Sequence, residues 1–157
     1  MQDMRPEEIV GDYREYTLSL YGYGSRRVLV TDIETPYPEG RLIVSRTDPN
    51  GFITHVNRSF VLMSGYTEQE LIGSPHSILR HPDMPSVAFR GLWDTLRAGK
   101  TWQGYVKNLR KDGGYYWVKA TVIPNVRGGK VIGYTSVRRK PSRQMVEQSK
   151  ALYQTLV

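Results

Sequence analysis

The sequence predicts an α+β fold in which short helices lie on one face of a five-stranded antiparallel sheet and enclose a ligand pocket. Segments with strand character occur at residues 41–47 and 52–57, and three more follow in a row at 101–110, 115–124 and 130–139. Between these two groups, apolar residues recur every three or four positions instead of every two, which is typical of helices. Helices inserted into an antiparallel sheet make an α+β domain, and a ligand lies between its layers.

The helices between the strands are marked by their start and stop signals. Thr67 and Glu70 have the spacing of a capping box. Asp83 is placed to cap a longer helix and Pro85 to occupy its first turn, and Gly99 ends it. Its apolar residues recur at the spacing of one helical face: Phe89, Leu92, Trp93 and Leu96.

The chain divides into four predicted segments. Residues 1–24 form an N-terminal helical cap, 25–40 an extended connector, 41–140 the main α+β domain and 141–157 a C-terminal linker helix. The cap is predicted from one apolar stripe and two glycines that end it: Ile9, Tyr13, Tyr16, Leu20, Gly22 and Gly24. The final helix begins at Ser142 and carries three apolar residues: Met145, Leu152 and Leu156.

Composition excludes several kinds of chemistry. The 157 residues contain no cysteine, so disulfides, thiolate metal sites, iron–sulfur clusters, cysteine nucleophiles and cysteinyl-flavin photochemistry are all excluded. The three histidines lack the spacing of a metal site, and no phosphate-binding loop or nucleophile elbow occurs. We therefore expect a binding module and not an enzyme.

Charge is unevenly distributed along the chain. Residues 1–50 carry six basic and nine acidic side chains, whereas residues 51–157 carry sixteen and six. This asymmetry favours an anionic ligand or partner on the C-terminal two-thirds, or else solvated basic strand faces. No nucleic-acid-binding motif is present, so nucleic acid is not the expected partner. No apolar run approaches the length of a membrane span, and a cytoplasmic protein is expected, either free or tethered through a membrane receptor.

A set of short motifs resembles the PAS family, and more narrowly the FAD-binding sensor domain of Aer-type aerotaxis receptors. The general PAS features are Asn57 and Gly65-Tyr66. The narrower features are the run from Arg80 to Pro85, together with Trp102-Gln103-Gly104 and Lys107-Asn108. The resemblance covers about residues 41–156, and the first 24 residues exceed the short cap usual in these receptors.

The resemblance implies a flavin, a function and a set of site residues. The function is redox, oxygen or energy sensing, passed by conformational change to a chemotaxis-type partner through homodimerisation or docking to a chemoreceptor. The implied cofactor is FAD, with haem or no ligand as alternatives; without a ligand the chain is a docking or dimerisation module. The candidate cofactor-binding residues are Asn57, Arg80, His81, Asp83, Phe89, Trp93, Trp102 and Asn108.

Most of these residues also have a structural interpretation. Asn57 can hydrogen-bond a flavin edge or cap the following helix, and Asp83 can lie beside the pocket or cap its own helix. Trp102 can stack on the ring or belong to the core. Arg80 is suited to a phosphate because its planar fork binds two oxygens. His81 can contact the cofactor or pack against a backbone group, and haem ligation would have to use His76 or His81.

Overall fold

The structure is a computed structural model that describes residues 1–20 and 24–157. Its body is a five-stranded antiparallel sheet in the order β4-β3-β7-β6-β5, and the helices between β4 and β5 lie on one face. The predicted fold class is confirmed. A separate two-stranded ribbon, β1–β2, precedes the sheet. None of the described helices is long and apolar enough to cross a membrane.

The elements, in chain order, are β1 Arg14–Leu20, β2 Gly24–Val30, β3 Ile43–Thr47, β4 Ile53–Val56, α1 Arg58–Ser64, α2 Glu68–Leu71, α3 Ser86–Arg97, β5 Trp102–Leu109, β6 Tyr115–Arg127, β7 Lys130–Arg139 and α4 Arg143–Gln154. Two 3₁₀ turns, Pro6–Glu8 and His76–Leu79, complete the described secondary structure.

Strand register decides which side chains face the helices. Trp102 pairs with Val122 at one end of β5, and Asn108 pairs with Tyr116 near the other. Because side chains alternate between the faces of a strand, Trp102 and Asn108 share the inner face of β5. In β6 the inner face carries Val118 and its neighbours two residues away, and the outer face carries Trp117.

Two apolar clusters hold the domain together. The main one lies between the sheet and the short helices and includes the fully buried Ile43, Phe60 and Leu71. A second cluster joins the N-terminal segment to the end of β5, with Val28 and Leu109 at its centre. The N-terminal segment is therefore packed onto the domain.

The helix starts follow the predicted signals with one exception. Thr67 and Glu70 form both hydrogen bonds of the capping box, as predicted. Helix α3, however, has Pro85 at its N-cap position and no side-chain cap. The prediction that Asp83 caps this helix is wrong, because the Asp83 carboxylate instead accepts a hydrogen bond from Lys107 Nζ at 2.7 Å.

The predicted N-terminal helix is also wrong. The segment contains only a 3₁₀ turn before β1, and β1 pairs antiparallel with β2 from Arg14↔Val30 to Leu20↔Gly24. Residues 15–20 alternate polar and apolar, which is the strand period, and the apolar run at the end of β2 gives β1 a partner. The extended connector accordingly begins after Val30 and not at residue 25. Gly22, predicted to end the helix, lies outside the described residues.

Helix α4 starts as predicted but buries a different face. The Ser142 hydroxyl accepts a hydrogen bond from Met145 N, so Ser142 is the N-cap. Val146 and Ser149 are the buried residues of the helix, whereas Leu152 is exposed. The helix packs against the outer face of the sheet, where the Tyr153 ring stacks on the Trp117 ring at 6.3 Å and 12°.

Candidate functional site

A cavity of about 700 Å³ lies between helix α3 and the inner face of the sheet. Its walls come from β3, β5, β6 and β7 on one side, from α3 on the other, and from the 3₁₀ turn at residues 76–79 at one end. Cavities of this size are the usual sites of small organic ligands and cofactors. The structure therefore has a ligand site where the predicted fold places one.

Helix α3 turns its apolar face to this cavity. Phe89, Leu92, Trp93 and Leu96 all line it. Of the residues of α3 only Leu96 is buried. The other three aromatic or aliphatic side chains are only partly buried, because the face that would normally meet a core meets the cavity instead. An amphipathic helix whose apolar face borders a cavity fits an apolar ligand better than it fits a packed core.

Trp102 forms part of the opposite wall and rests on a glycine. The indole lies so close to the backbone of Gly104 that a Cβ at this position would overlap the ring. The position of the indole thus depends on the absence of a side chain two residues further along the same strand face. On α3, the Trp93 ring is held edge-to-face by Tyr134, with centroids 5.5 Å apart.

A buried arginine dominates the polar end of the cavity. Arg138 is 2% exposed, and its guanidinium donates to Ser45 Oγ at 2.6 Å and lies 3.1 Å from His76 Nε2. The guanidinium also lies over the Phe60 ring, with its central carbon 4.6 Å from the ring centroid. Burial lowers the pKa of Arg138 to about 10. A buried cation with no carboxylate partner among the described residues is unusual, and it suits an anionic or acceptor-rich ligand.

His76 lines the same end of the cavity. Burial and the neighbouring Arg138 lower its pKa to about 3, so the imidazole is neutral at physiological pH. Its Nε2 accepts from the guanidinium because the arginine can only donate. Asn108, which is also buried and lines the cavity, adds an amide to this polar end.

Three further arginines border the cavity nearer to solvent. Arg80 lies over the Phe89 ring at 4.3 Å and donates weakly to Met84 O at 3.3 Å. Burial lowers the pKa of Arg80. Arg90 and Arg97 lie on α3 and form no ion pair within the described part of the chain. The lining thus holds four arginines against one carboxylate, Asp94.

Five of the predicted site residues line this cavity: Arg80, Phe89, Trp93, Trp102 and Asn108. Asn57 does not. Its amide oxygen accepts from Phe60 N and Val44 N, both at 3.1 Å, and its amide nitrogen donates to Leu42 O at 2.9 Å. The structure therefore places Asn57 as the cap of α1 and as a tie between α1 and β3.

His81 and Asp83 also lie outside the cavity lining. His81 is 1% exposed, and its Nδ1 accepts a hydrogen bond from Asp83 N at 3.0 Å. Burial, assisted by the nearby Lys107, lowers the pKa of His81 to about 3. Burial alone would raise the pKa of the Asp83 carboxyl, but the hydrogen bond from Lys107 keeps it below its usual value. These two residues fix the loop before α3.

Sequence reasoning missed Arg138 and His76 as parts of the polar end. For Arg138 a signal was present, because it has the same strand parity as Tyr134 and Ser136, both of which face inward. For His76 the surrounding prolines and serines gave no periodic pattern from which a direction could be read. Sequence reasoning also missed Ser19 and Leu20, which border the cavity from the N-terminal hairpin.

Comparisons with known proteins agree with this architecture. A family model described as PAS fold matches residues 53–138. The chain is 46% identical over 127 residues to the aerotaxis receptor of Escherichia coli K12, covering 81% of this chain and 25% of the receptor. It is 35% identical over 95 residues to the biofilm dispersion protein BdlA of Pseudomonas aeruginosa, covering 57% of this chain and 22% of that protein. The chain thus spans about a quarter of the length of these relatives.

Solved structures share the fold at low sequence identity. The light state of the blue-light photoreceptor Aureochrome1 LOV domain superposes with a TM-score of 0.62 at 22% identity, covering 68% of this chain and 90% of that one. A light-oxygen-voltage domain described with a flavin analogue gives a TM-score of 0.61 at 23% identity, covering 73% and 86%. At this identity the likeness concerns the fold alone.

Proposed function

Because this chain belongs to the PAS family, we propose that it is a sensor module that binds a flavin, in the form of FAD, and signals redox, oxygen or energy status to a chemotaxis-type partner. The observation that carries the proposal is the cavity, which combines apolar aromatic walls with arginines that lack carboxylate partners. The similarity to an aerotaxis receptor supports the same function.

The apolar walls suit a flat tricyclic ring. Trp102 from the sheet and Phe89 and Trp93 from α3 border the cavity from opposite sides. Aromatic side chains offer π-faces against which a planar ligand packs with little loss of side-chain freedom. Such walls would hold the isoalloxazine and keep water from it.

The polar end suits the edge of such a ring. The Nε atom of Arg138 is buried and has no hydrogen-bond partner in the described residues. Buried donors without a partner are rare in proteins and indicate a ligand or water that accepts from them. Arg138 would donate to carbonyl oxygens of the pyrimidine edge, and the Asn108 amide can both donate and accept there.

The arginines nearer solvent suit a phosphorylated tail. This part of the cavity lining contains three arginines and one carboxylate, so its net charge is positive. They are Arg80, Arg90, Arg97 and Asp94. Guanidinium groups bind phosphate oxygens through two parallel hydrogen bonds. This arrangement favours a flavin nucleotide over riboflavin.

Haem is the weaker cofactor candidate. His76 is the only histidine of the cavity lining, and its Nε2 is engaged by Arg138 at 3.1 Å. Iron ligation would require this contact to break and would bring a second cation next to a buried guanidinium. No group of three or more potential metal ligands occurs among residues 1–20 and 24–157.

The bound flavin supplies one- or two-electron redox chemistry, and the chain acts as a binding module without a reaction of its own. A change in ligand charge or hydrogen bonding would act on Arg138 and Asn108, which lie on β7 and β5. The outer face of the same sheet carries α4, whose Tyr153 hydroxyl donates to Tyr105 O in β5 at 2.7 Å. The sheet and α4 would therefore present a changed surface to a second copy or to a docked chemoreceptor.

The direct test is the absorption spectrum of the purified protein. We expect oxidised flavin bands that dithionite bleaches, and FAD in the supernatant after heat denaturation. A Soret band would assign haem instead, and a colourless protein that FAD cannot reconstitute would leave a cofactor-free docking module.

The tail contacts have their own test. Replacing both Arg90 and Arg97 by Gln should weaken FAD binding roughly five- to thirtyfold, since each exposed charge contact contributes about 0.5–1 kcal/mol. Riboflavin affinity should not change. Arg127→Gln removes the same charge from an exposed residue outside the cavity lining, and it should leave both affinities unaltered.

A further inference from the structure

The N-terminal hairpin, β1–β2, borders the ligand cavity although it precedes the part of the chain that matches the PAS family model. Ser19 and Leu20, the last two residues of β1, line the cavity. Leu20 is 5% exposed, whereas Tyr16 on the same strand is 38% exposed. The burial of β1 is thus concentrated at the end that meets the cavity.

A buried arginine fixes the hairpin to the cavity wall. Arg26, in β2, is 4% exposed and donates to Ile78 O at 2.9 Å, to the Tyr66 hydroxyl at 3.2 Å and to Gln2 O at 3.0 Å. Ile78 belongs to the 3₁₀ turn whose neighbouring residue Leu79 lines the cavity. All three nitrogens of the guanidinium are thus hydrogen-bonded, which ties β2 directly to the ligand site.

The register carries this attachment to β1. Leu18 pairs with Arg26, and Leu20 pairs with Gly24, so the cavity-lining end lies two residues, about 7 Å, from the attachment point. Val28 is fully buried in the second apolar cluster, which fixes the other end of β2. The hairpin is therefore held in place beside the cavity.

We propose that the β1–β2 hairpin is a wall of the ligand site, and that Ser19 and Leu20 contact the bound flavin and slow its release. This inference rests on the flavin binding proposed above. Adjacent residues of a strand point to opposite faces. Ser19 and Leu20 nevertheless both line the cavity, because β1 meets the cavity with its last residues and not with one of its faces. Leu20 contributes an apolar contact and Ser19 a small polar one.

A cysteine footprint tests the contact without disturbing the fold. The chain has no cysteine, so Ser19→Cys introduces a single thiol at the proposed contact. Thr17→Cys is the matched control, because residue 17 is exposed, points to the same face of β1 and does not line the cavity. We expect saturating FAD to slow alkylation at residue 19 at least fivefold and to leave the rate at residue 17 unchanged.

The release rate of the ligand gives a second measurement. Leu20→Ala should accelerate FAD dissociation about three- to tenfold, as expected for the loss of part of one apolar contact. Tyr16→Ala, on the same face of β1 and outside the lining, should leave the rate unchanged. Urea unfolding of both variants establishes that the domain remains folded during the measurement.

The outcomes separate this inference from the function on which it rests. If the unaltered protein binds FAD but FAD protects residues 19 and 17 equally, the hairpin is not a wall of the site and the flavin proposal stands. If the unaltered protein does not bind FAD, both proposals fail. Protection confined to residue 19, together with faster release from Leu20→Ala, supports the wall.

Discussion

Protonation of His81 should make the domain less stable as the pH falls from neutral towards 5. The imidazole is 1% exposed and its Nδ1 accepts from Asp83 N, so a proton on Nδ1 would break that bond and place a cation beside Lys107. The folded protein therefore keeps the pKa of His81 near 3, well below the usual 6.5. The unfolded chain, by contrast, takes up a proton at its ordinary pKa.

The sign and size follow from proton linkage. Above pH 6.5 both states are neutral at His81 and the group does not change stability with pH. Below 6.5 the unfolded state alone binds the proton, and the free energy of unfolding falls by about 1.4 kcal/mol per pH unit until the pH reaches the folded-state pKa. At pH 5 the loss from this residue is about 2 kcal/mol. His76 adds a loss of the same sign.

The assay is urea unfolding at pH 8 and at pH 5 for the unaltered chain and for His81→Asn. Asparagine presents an oxygen close to the position of Nδ1, so it can still accept from Asp83 N, but it does not titrate. We expect the difference between the two pH values to shrink by about 2 kcal/mol in His81→Asn. His55→Gln removes an exposed imidazole and should leave the difference unchanged. An equal loss in His81→Asn and the unaltered chain would refute the reasoning.

Three further predictions concern the cavity and the helix behind the sheet. Gly104→Ala should raise the FAD dissociation constant at least tenfold, because the methyl group displaces the Trp102 indole. Gly91→Ala should bind FAD normally, because its Cβ meets nothing within 4 Å. Isothermal titration calorimetry measures both dissociation constants. Arg138→Met should keep the fold, since no carboxylate loses its partner, but should lower the flavin reduction potential measured by dye equilibration. Tyr153→Phe removes one hydrogen bond from α4 and should cost about 1 kcal/mol, seen in urea unfolding and as faster proteolysis of the C-terminal segment.

The sheet and its helices were predictable because each leaves a local pattern. The capping box at Thr67 and the apolar spacing of α3 concern residues three or four apart, whose contacts are set by the helix itself. The same spacing also placed Phe89 and Trp93 together on the face that borders the cavity. Local geometry was sufficient there, since one helix holds both residues.

The N-terminal segment could not be assigned from the same kind of pattern. A stripe from Ile9 to Leu20 fits a helix at its apolar positions, but residues 15–20 also alternate with the strand period. What decides between the two is the tertiary pairing with β2, together with the attachment of Arg26 to Ile78 O, 52 residues away. Contacts of that separation leave no mark on the spacing of β1.

Asn57 and His81 illustrate why residue type alone does not locate a ligand contact. Both carry polar groups that suit a flavin, yet the Asn57 amide oxygen accepts from the backbone of β3 and α1, and His81 Nδ1 accepts from Asp83 N. Arg138 shows the converse, since it stands in a run of basic residues that resembles a solvated surface and is nevertheless fully buried. The direction of the Arg138 side chain is set by strand pairing, whereas those of Asn57 and His81 are set by the hydrogen bonds of the connecting segments that hold them.

The cavity and α4 lie on opposite faces of the sheet, so adjacent residues of one strand contact them from the two sides. Val118 and Val106 line the cavity, while their chain neighbours Trp117 and Tyr105 contact Tyr153 of α4 from the opposite side. A displacement of β5 or β6 beside the cavity therefore moves residues that contact α4 directly.

The start of α4 is tied in turn to the N-terminal segment. Arg143 pairs with Glu34 at 3.1 Å, and Glu34 forms a bridge to Tyr115 at the beginning of β6. The N-terminal segment thus borders the cavity through Leu20 and meets α4 through Glu34. If the flavin changes charge, the hairpin and α4 will respond together, because each contacts strands or walls that bound the same cavity. A partner that reads the state of this domain therefore has two surfaces to bind, and the walls of the cavity connect them.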